Sequence, residues 1–234
     1  MQLPFFYEKA LPASDHFALN EESSRHIVQV LRMKEGETII LTNGKGETQT
    51  AEIISANKKK TTVKILGKNF SSKPGPEISI AIGLIKNKTR FEWFVEKASE
   101  IGIDKIFPII TARTEKQSFN KDRVQSIAIS AMLQSQQPWL TEVCELTSFE
   151  KLITHTSART KFIAHCGDGE KEALGTQPPH NDSLILIGPE GDFTREEVKM
   201  ALQHDFIPVS LGGTRLRTET AAIVATVLCK FSYR

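Results

Sequence analysis

Leu184-Ile185-Leu186-Ile187-Gly188-Pro189-Glu190-Gly191-Asp192-Phe193-Thr194-Arg195-Glu196-Glu197 reads as a buried strand that stops at a glycine turn and restarts as a helix. The apolar run suits a strand covered on both faces. Thr194 and Glu197 have the spacing of a capping box, in which a hydroxyl and a carboxylate satisfy free N–H groups of the first helical turn. In an open α/β sheet a ligand sits at this place, outside the carboxyl end of a strand. Gly188 and Gly191 let main-chain N–H and C=O groups approach such a ligand unobstructed. Standing alone, the segment can also be read, less well, as a plain strand-turn-helix connection.

A second segment has the same form. Val209-Ser210-Leu211-Gly212-Gly213-Thr214-Arg215-Leu216-Arg217-Thr218-Glu219-Thr220 is a strand that ends in a glycine pair. A stretch rich in hydroxyls and charge then leads into the apolar helix Ala221–Phe231. Two such loops on neighbouring strands can form one pocket. Working outward, Ile78–Ile85, Ile106–Ile110, Phe162–Ala164 and Ile207–Leu211 are further strands. Thr89-Arg90-Phe91-Glu92 fits a second capping box, and Phe91, Phe94, Val95, Ala98 and Ile101 recur at helical spacing until Gly102. Val124, Ile127, Ala128 and Ala131 mark a helix that stops before Pro138. Alternation of strand and helix implies a mostly parallel sheet with helices on both faces.

The first third has a different texture. Short β-rich runs between Ile39 and Leu66 are separated by turns, of which Asn43-Gly44 is a strong hairpin signal, and they read as a small barrel. Ser71-Ser72-Lys73-Pro74-Gly75-Pro76 is the best linker, so the chain divides into domains 1–72 and 73–234.

Composition sets the class. The chain has 234 residues, 39% hydrophobic and 25% charged, as expected of a globular protein with a real core. No run approaches a membrane span, and the opening Met1-Gln2-Leu3-Pro4-Phe5-Phe6-Tyr7-Glu8 lacks the pattern of a signal peptide, so a cytoplasmic protein without membrane partner is expected. Cys144, Cys166 and Cys229 form no C-x-x-C pair and read as buried, reduced thiols; no metal is expected. Residues 1–130 carry 20 Lys and Arg against 15 Asp and Glu, whereas residues 131–234 carry 10 against 13. The first half is therefore the more basic face for nucleic acid, although Lys58-Lys59-Lys60 also reads as a solvated hairpin tip. There is no G-x-x-x-x-G-K-[ST] phosphate loop and no G-x-G-x-x-G after the first strand of the α/β region, which disfavours an NTPase, a kinase and a Rossmann-type enzyme.

The segments GPEGDFTREEV and SLGGTRLRTETAA, with RHIVQVLRMKEGE near the N-terminus and KNKTRFEWFVEKASEIGIDKIFPI in the middle, resemble the RsmE family of 16S ribosomal RNA (uracil-N3)-methyltransferases of the SPOUT superfamily. The family pattern usually has a second glycine where this chain has Asp192, and an isoleucine-like residue where it has Arg215. The resemblance implies an N-terminal PUA-like β-barrel joined to an α/β domain with a trefoil knot. It also implies S-adenosylmethionine as cofactor, a homodimer, and methyl transfer to N3 of a uridine in 16S ribosomal RNA of the small subunit.

On this reading the cofactor meets Leu186, Gly188, Gly191, Leu211, Gly212, Leu216, Arg217, Thr218 and Ala221. Arg217 and Glu219 are the polar groups nearest the chemistry, with Glu219 as base, as a partner orienting Arg217, or as a complement to the helix dipole. Arg25, His26 and Arg32 form part of the RNA surface, with Lys86, Lys88 and Arg90 as the second location. Two other functions stay open: a SPOUT enzyme acting on a ribose 2′-hydroxyl, and a non-catalytic RNA-binding assembly factor.

Overall fold

The computed structural model describes residues 3–73, 75–115, 118–175 and 182–231. Met1 and Gln2 of the chain's opening and Pro74 of the expected linker lie outside the described residues. The chain forms two compact units: residues up to Lys73 together with Met132–Leu140, and residues 74–131 together with 141–234. The return of Met132–Leu140 to the first unit has no counterpart in the sequence reading. Its cause is hydrogen bonding to the hairpin: Gly46 N–H donates to Pro138 O at 2.8 Å and Leu140 N–H to Gly44 O at 2.9 Å.

In the first unit, β1 (Phe5–Tyr7), β2 (His16–Ala18), a short α1 (Glu21–Arg25) that continues as a π-helical turn over His26–Val30, β3 (Thr38–Thr42), β4 (Glu47–Ser55) and β5 (Thr62–Phe70) follow one another. The strands form a five-stranded sheet in the order β1-β3-β4-β5-β2. Asn43-Gly44 lies in the β3–β4 hairpin, as the sequence reads, with Thr42 opposite Thr48. Ile27, Ile39, Leu41, Ile53 and Val63 fill the core, each fully buried aliphatic side chain contributing roughly 1.5–3 kcal/mol. Among the described residues β1 and β2 stand at the two ends of this pairing order.

The second unit contains β6 (Ile78–Gly83), α2 (Lys88–Ile101), β7 (Lys105–Ile110), α3 (Lys121–Gln134, whose last turn belongs to the first unit), β8 (Glu142–Val143), β9 (Thr147–Ser148) and α4 (Phe149–His155). These are followed by β10 (Thr160–Ala164), β11 (Glu172–Ala173), β12 (Ser183–Ile187), α5 (Arg195–Gln203), β13 (Ile207–Ser210) and α6 (Thr218–Phe231). The strands pair in parallel in the order β11-β13-β10-β12-β6-β7-β8, with β9 also on β7. Every residue of β6 and β12 is buried, which is why both read as unbroken apolar runs.

Three local expectations are corrected. Asn87, not Thr89, caps α2, its side-chain oxygen accepting from Thr89 N–H at 2.9 Å. Asn is a strong cap, and the helix has already begun at Lys88; Glu92 instead receives Arg123 Nε at 2.6 Å and Nη2 at 2.8 Å. The last helix starts at Thr218, so Thr218 and Glu219 lie in its first turn. Cys229 is buried and Cys144 half-buried, and burial pushes both thiols up to about 12, but Cys166 is exposed. Gly102 ends α2 in the left-handed conformation (φ 90°) and Thr194 with Glu197 forms the capping box of α5, both as the sequence reads. Among the described residues no helix is long and apolar enough to cross a membrane.

Gly83 closes β6 directly beneath the turn that leaves β12. A methyl group on it would stand 2.5 Å from Pro189 N and 2.6 Å from Pro189 Cδ. Because the obstacle is backbone, relief requires one strand end to move. Gly83→Ala is expected to destabilise the protein by about 1–3 kcal/mol, read as a lower urea midpoint at unchanged slope; an unchanged midpoint contradicts this packing.

Candidate active site

The turn after β12 is held by groups from three other strand ends. Asp192 adopts φ 63°, in the left-handed region that favours glycine. Its Oδ1 accepts from Phe193 N–H at 2.8 Å and its Oδ2 from Cys166 N–H, after β10, at 2.7 Å. Glu190 Oε1 accepts from Lys86 N–H, after β6, at 2.9 Å. From the end of β7, Arg113 Nη1 donates to Gly191 O at 2.6 Å. Buried Glu197 completes the set: one oxygen accepts from Thr194 N–H in the capping box, the other from Ala112 N–H, each at 2.8 Å.

The turn after β13 is open by contrast. Gly212 has φ 128°, and no atom lies within 4 Å of the place a Cβ would take at Gly212 or Gly213. Between the two turns lies a cavity of about 750 Å³, within the range of small-molecule sites. It is bounded by the carboxyl ends of β10, β12 and β13 and by the first turn of α6.

Of the residues expected to meet a cofactor, Gly188, Leu211, Gly212, Leu216, Arg217, Thr218 and Ala221 line this cavity, as does Glu219. Leu186 is wholly buried inside β12, and Gly191 lies under the Arg113 side chain; neither is among the lining residues. Arg90 also lines it, with Nε 3.6 Å from Glu219 Oε1. Buried Glu219 thus pairs with Arg90, and Arg217 stays exposed. Lys86 pairs with Glu115 at 2.7 Å, and Lys88 is exposed at the start of α2. Arg25, His26 and Arg32 are exposed on the first unit, where Arg25 pairs with Glu21 at 2.6 Å, His26 meets Phe6 edge-on at 5.9 Å and Arg32 holds φ 54°.

His165, Cys166 and Lys171 also line the cavity, and the sequence reading placed none of them at the site. A strand ending at Ala164 was the available signal, since its carboxyl end belongs to the same row as the glycine turns. His165 Nδ1 is buried and has no hydrogen-bond partner among the described residues. Desolvation, and secondarily the charge of Lys171, hold the ring's pKa below the ordinary histidine value. Such a ring nitrogen beside two open glycines leaves room and hydrogen-bonding capacity for a polar ligand group.

Fold and site together define an α/β enzyme domain that holds a nucleoside-sized ligand at the carboxyl ends of a parallel sheet, in a chain that also carries a small β-rich unit. The family model for the RNA methyltransferase domain matches residues 71–230, and that for the RNA methyltransferase PUA domain matches residues 19–66. The chain belongs to the RsmE family of RNA methyltransferases. It is 29% identical to ribosomal RNA small subunit methyltransferase E of Bacillus subtilis, over 93% of this chain and 90% of that one. A candidate rRNA methyltransferase of Porphyromonas gingivalis is 38% identical, with a TM-score of 0.89 over 96% of this chain and 95% of that one. The Neisseria gonorrhoeae ribosomal RNA small subunit methyltransferase E, solved with S-adenosylmethionine bound, is 28% identical, with a TM-score of 0.87 over 97% and 96%.

Asp192 separates two contributions to loop stability. Asp192→Gly removes both carboxylate bonds but relaxes the backbone, whereas Asp192→Ala removes the bonds and keeps the left-handed strain. The alanine variant is expected to be the less stable of the two by about 1 kcal/mol, and both are expected to exchange the Cys166 amide faster than the unsubstituted protein. Equal denaturation midpoints and unchanged exchange would show that the carboxylate does not hold the loop.

Proposed function

We propose that the protein is an S-adenosylmethionine-dependent methyltransferase that methylates N3 of a uridine in 16S ribosomal RNA of the small subunit. The observation that carries this reading is the shared cavity: two glycine turns and the start of α6 converge on it in a chain of the RsmE family. Gly188, Leu211, Gly212, Leu216, Thr218 and Ala221 would hold the cofactor mainly through main-chain groups, with Leu186 and Gly191 supporting them from behind. When bound, the cofactor supplies an electrophilic methyl group on a sulfonium.

The chain's own part is to place the uracil edge, to exclude water and to stabilise charge. As N3 loses its proton, negative charge spreads onto the carbonyl oxygens of the base. Arg217 is exposed at the cavity immediately before α6, whose N-terminus adds positive potential. A guanidinium placed there stabilises the developing charge by roughly 2–4 kcal/mol, the scale of one preorganised donor. Glu219 is a positioning residue on this reading: its carboxylate is committed to Arg90 and lies in the first turn of α6, where it complements the helix dipole. Arg25, His26 and Arg32 contribute to RNA binding from the first unit, and Lys86, Lys88 and Arg90 from beside the cavity.

The trefoil knot, the homodimer and the cytoplasmic location belong to the same proposal. A dimer is supported by apolar residues on α6 and α2 that the chain leaves exposed, with Trp93 at 44%, Val227 at 38% and Phe231 at 46%. The direct test is to incubate the protein and labelled cofactor with small subunits from a strain lacking the enzyme and to map the methyl group; a methyl on a ribose 2′-oxygen establishes the alternative target, and none at all the assembly-factor reading.

Two variants divide cofactor binding from chemistry. Gly212→Val places a branched side chain at φ 128° and into the cavity and should abolish cofactor binding in calorimetry, as should Gly188→Val, whose Cβ would meet Asp192 and Phe193 backbone at 3.1 Å. Arg217→Ala should lower turnover at least about a hundredfold while cofactor affinity stays within a few fold, with Glu219→Gln costing less. Normal turnover in Arg217→Ala, or loss of cofactor binding alone, removes Arg217 from the chemistry.

A further inference from the structure

An aromatic surface on the first unit has no role in the chemistry above. Phe70, the last residue of β5, is 65% exposed. Its ring meets Trp139 edge to face, with centroids 6.3 Å apart and planes at 78°. Trp139 is fixed: its indole N–H donates to Ser71 O at 3.0 Å, its backbone bridges Lys45, and a Cβ on Gly46 would lie 2.5 Å from its ring. Glycine at 46 is what lets that ring lie against the hairpin.

Cations fringe the pair. The Lys73 ammonium stands 5.5 Å from the Trp139 ring centre. Lys68 is exposed two residues before Phe70, hence on the same side of the strand, and exposed Lys45 is the residue whose backbone pairs with Trp139. Glu47, opposite Phe70 on β4, is the neighbouring anion, and it accepts from Asn43 Nδ2 at 3.2 Å.

The chemistry of the surroundings selects the partner. A protein-binding patch needs a continuous apolar centre depleted of charge, whereas the residues flanking Phe70 are Lys68, Asn69, Ser71, Ser72 and Lys73. A held aromatic ring with a free surface, set among lysines, is the arrangement that binds single-stranded nucleic acid: bases stack on the ring and the cations meet phosphates. We propose that Phe70, braced by Trp139 and flanked by Lys45, Lys68 and Lys73, is a stacking platform for an unpaired nucleotide of the RNA substrate other than the one methylated. This rests on the reading that the substrate is RNA. Phe70, Trp139, Lys68 and Lys73 all lie outside residues 19–66, which the PUA model matches.

The test uses the full chain and a fluorescent single-stranded oligouridine. Phe70→Ala should weaken binding about tenfold or more, and Phe70→Tyr should restore it. The double variant Lys68→Gln, Lys73→Gln should flatten the salt dependence, by roughly 0.7 in logarithmic slope for each phosphate no longer neutralised. In a Trp93→Phe background, oligouridine should quench the emission of Trp139, and an RNA duplex of equal length should bind Phe70→Ala and the unsubstituted protein alike. Cofactor affinity measured by calorimetry on Phe70→Ala should stay unchanged, which separates the platform from the cavity.

Oligouridine binding by Phe70→Ala equal to that of the unsubstituted protein overturns the proposal. So does a change of oligomeric state in place of an RNA effect, because the ring then packs between copies of the chain. If the unsubstituted protein binds cofactor but no RNA, the reading of the substrate falls and the platform with it.

Discussion

The turn that leaves β12 is the structure's central constraint, because its carboxylates tie main-chain N–H groups from three neighbouring strand ends to one place. Asp192 takes the N–H of Cys166, Glu190 that of Lys86, and Glu197 those of Thr194 and Ala112. Bonds to a carboxylate contribute on the order of 1.5–3 kcal/mol each. Together they fix the ends of β6, β7 and β10 relative to β12. A cavity bounded by such ends is formed before any ligand arrives, so the cost of ordering a binding loop falls on folding and not on binding.

That constraint distributes the charges of the site. Glu219 is buried in the first turn of α6, and a buried carboxylate without a partner is costly; Arg90, from α2, is the cation that meets it. Arg217 has no such commitment to Glu219, and it stands at the cavity as an available positive charge. The start of α6 thus presents two side chains of opposite sign in different settings, Glu219 paired with Arg90 of α2 and Arg217 exposed at the cavity.

What could be read in the sequence follows from which interactions are local. The strand, glycine turn and capping box of 184–197 are encoded within a few residues, and the structure has all three. The glycine pair after Leu211 is likewise local; the two strands expected to be neighbours are separated by β10, and both turns still line one pocket because the three strand ends lie in one row. By contrast, His165 and Cys166 enter the site because β10 lies between β12 and β13, an order that no short pattern specifies. The return of Met132–Leu140 to the first unit rests on bonds to Gly44 and Gly46, almost a hundred residues away in the chain. Asn87 was legible as a strong cap, yet the better-known spacing of Thr89 and Glu92 masked it.

Asp192 shows how a departure from the family pattern can keep the geometry while changing the surface. The resemblance implies glycine there, and the backbone of this chain takes the left-handed conformation that glycine allows (φ 63°). A side chain in that region costs roughly 1–2 kcal/mol. Two carboxylate bonds, to Phe193 and Cys166, offset the strain. The second of these ties the turn after β12 to the strand end that brings His165 to the cavity, a link that glycine cannot make. Arg215, the other departure, lines the same cavity and is exposed near Arg217. The chain thereby has an anion where two strand ends are tied together and a cation exposed at the cavity.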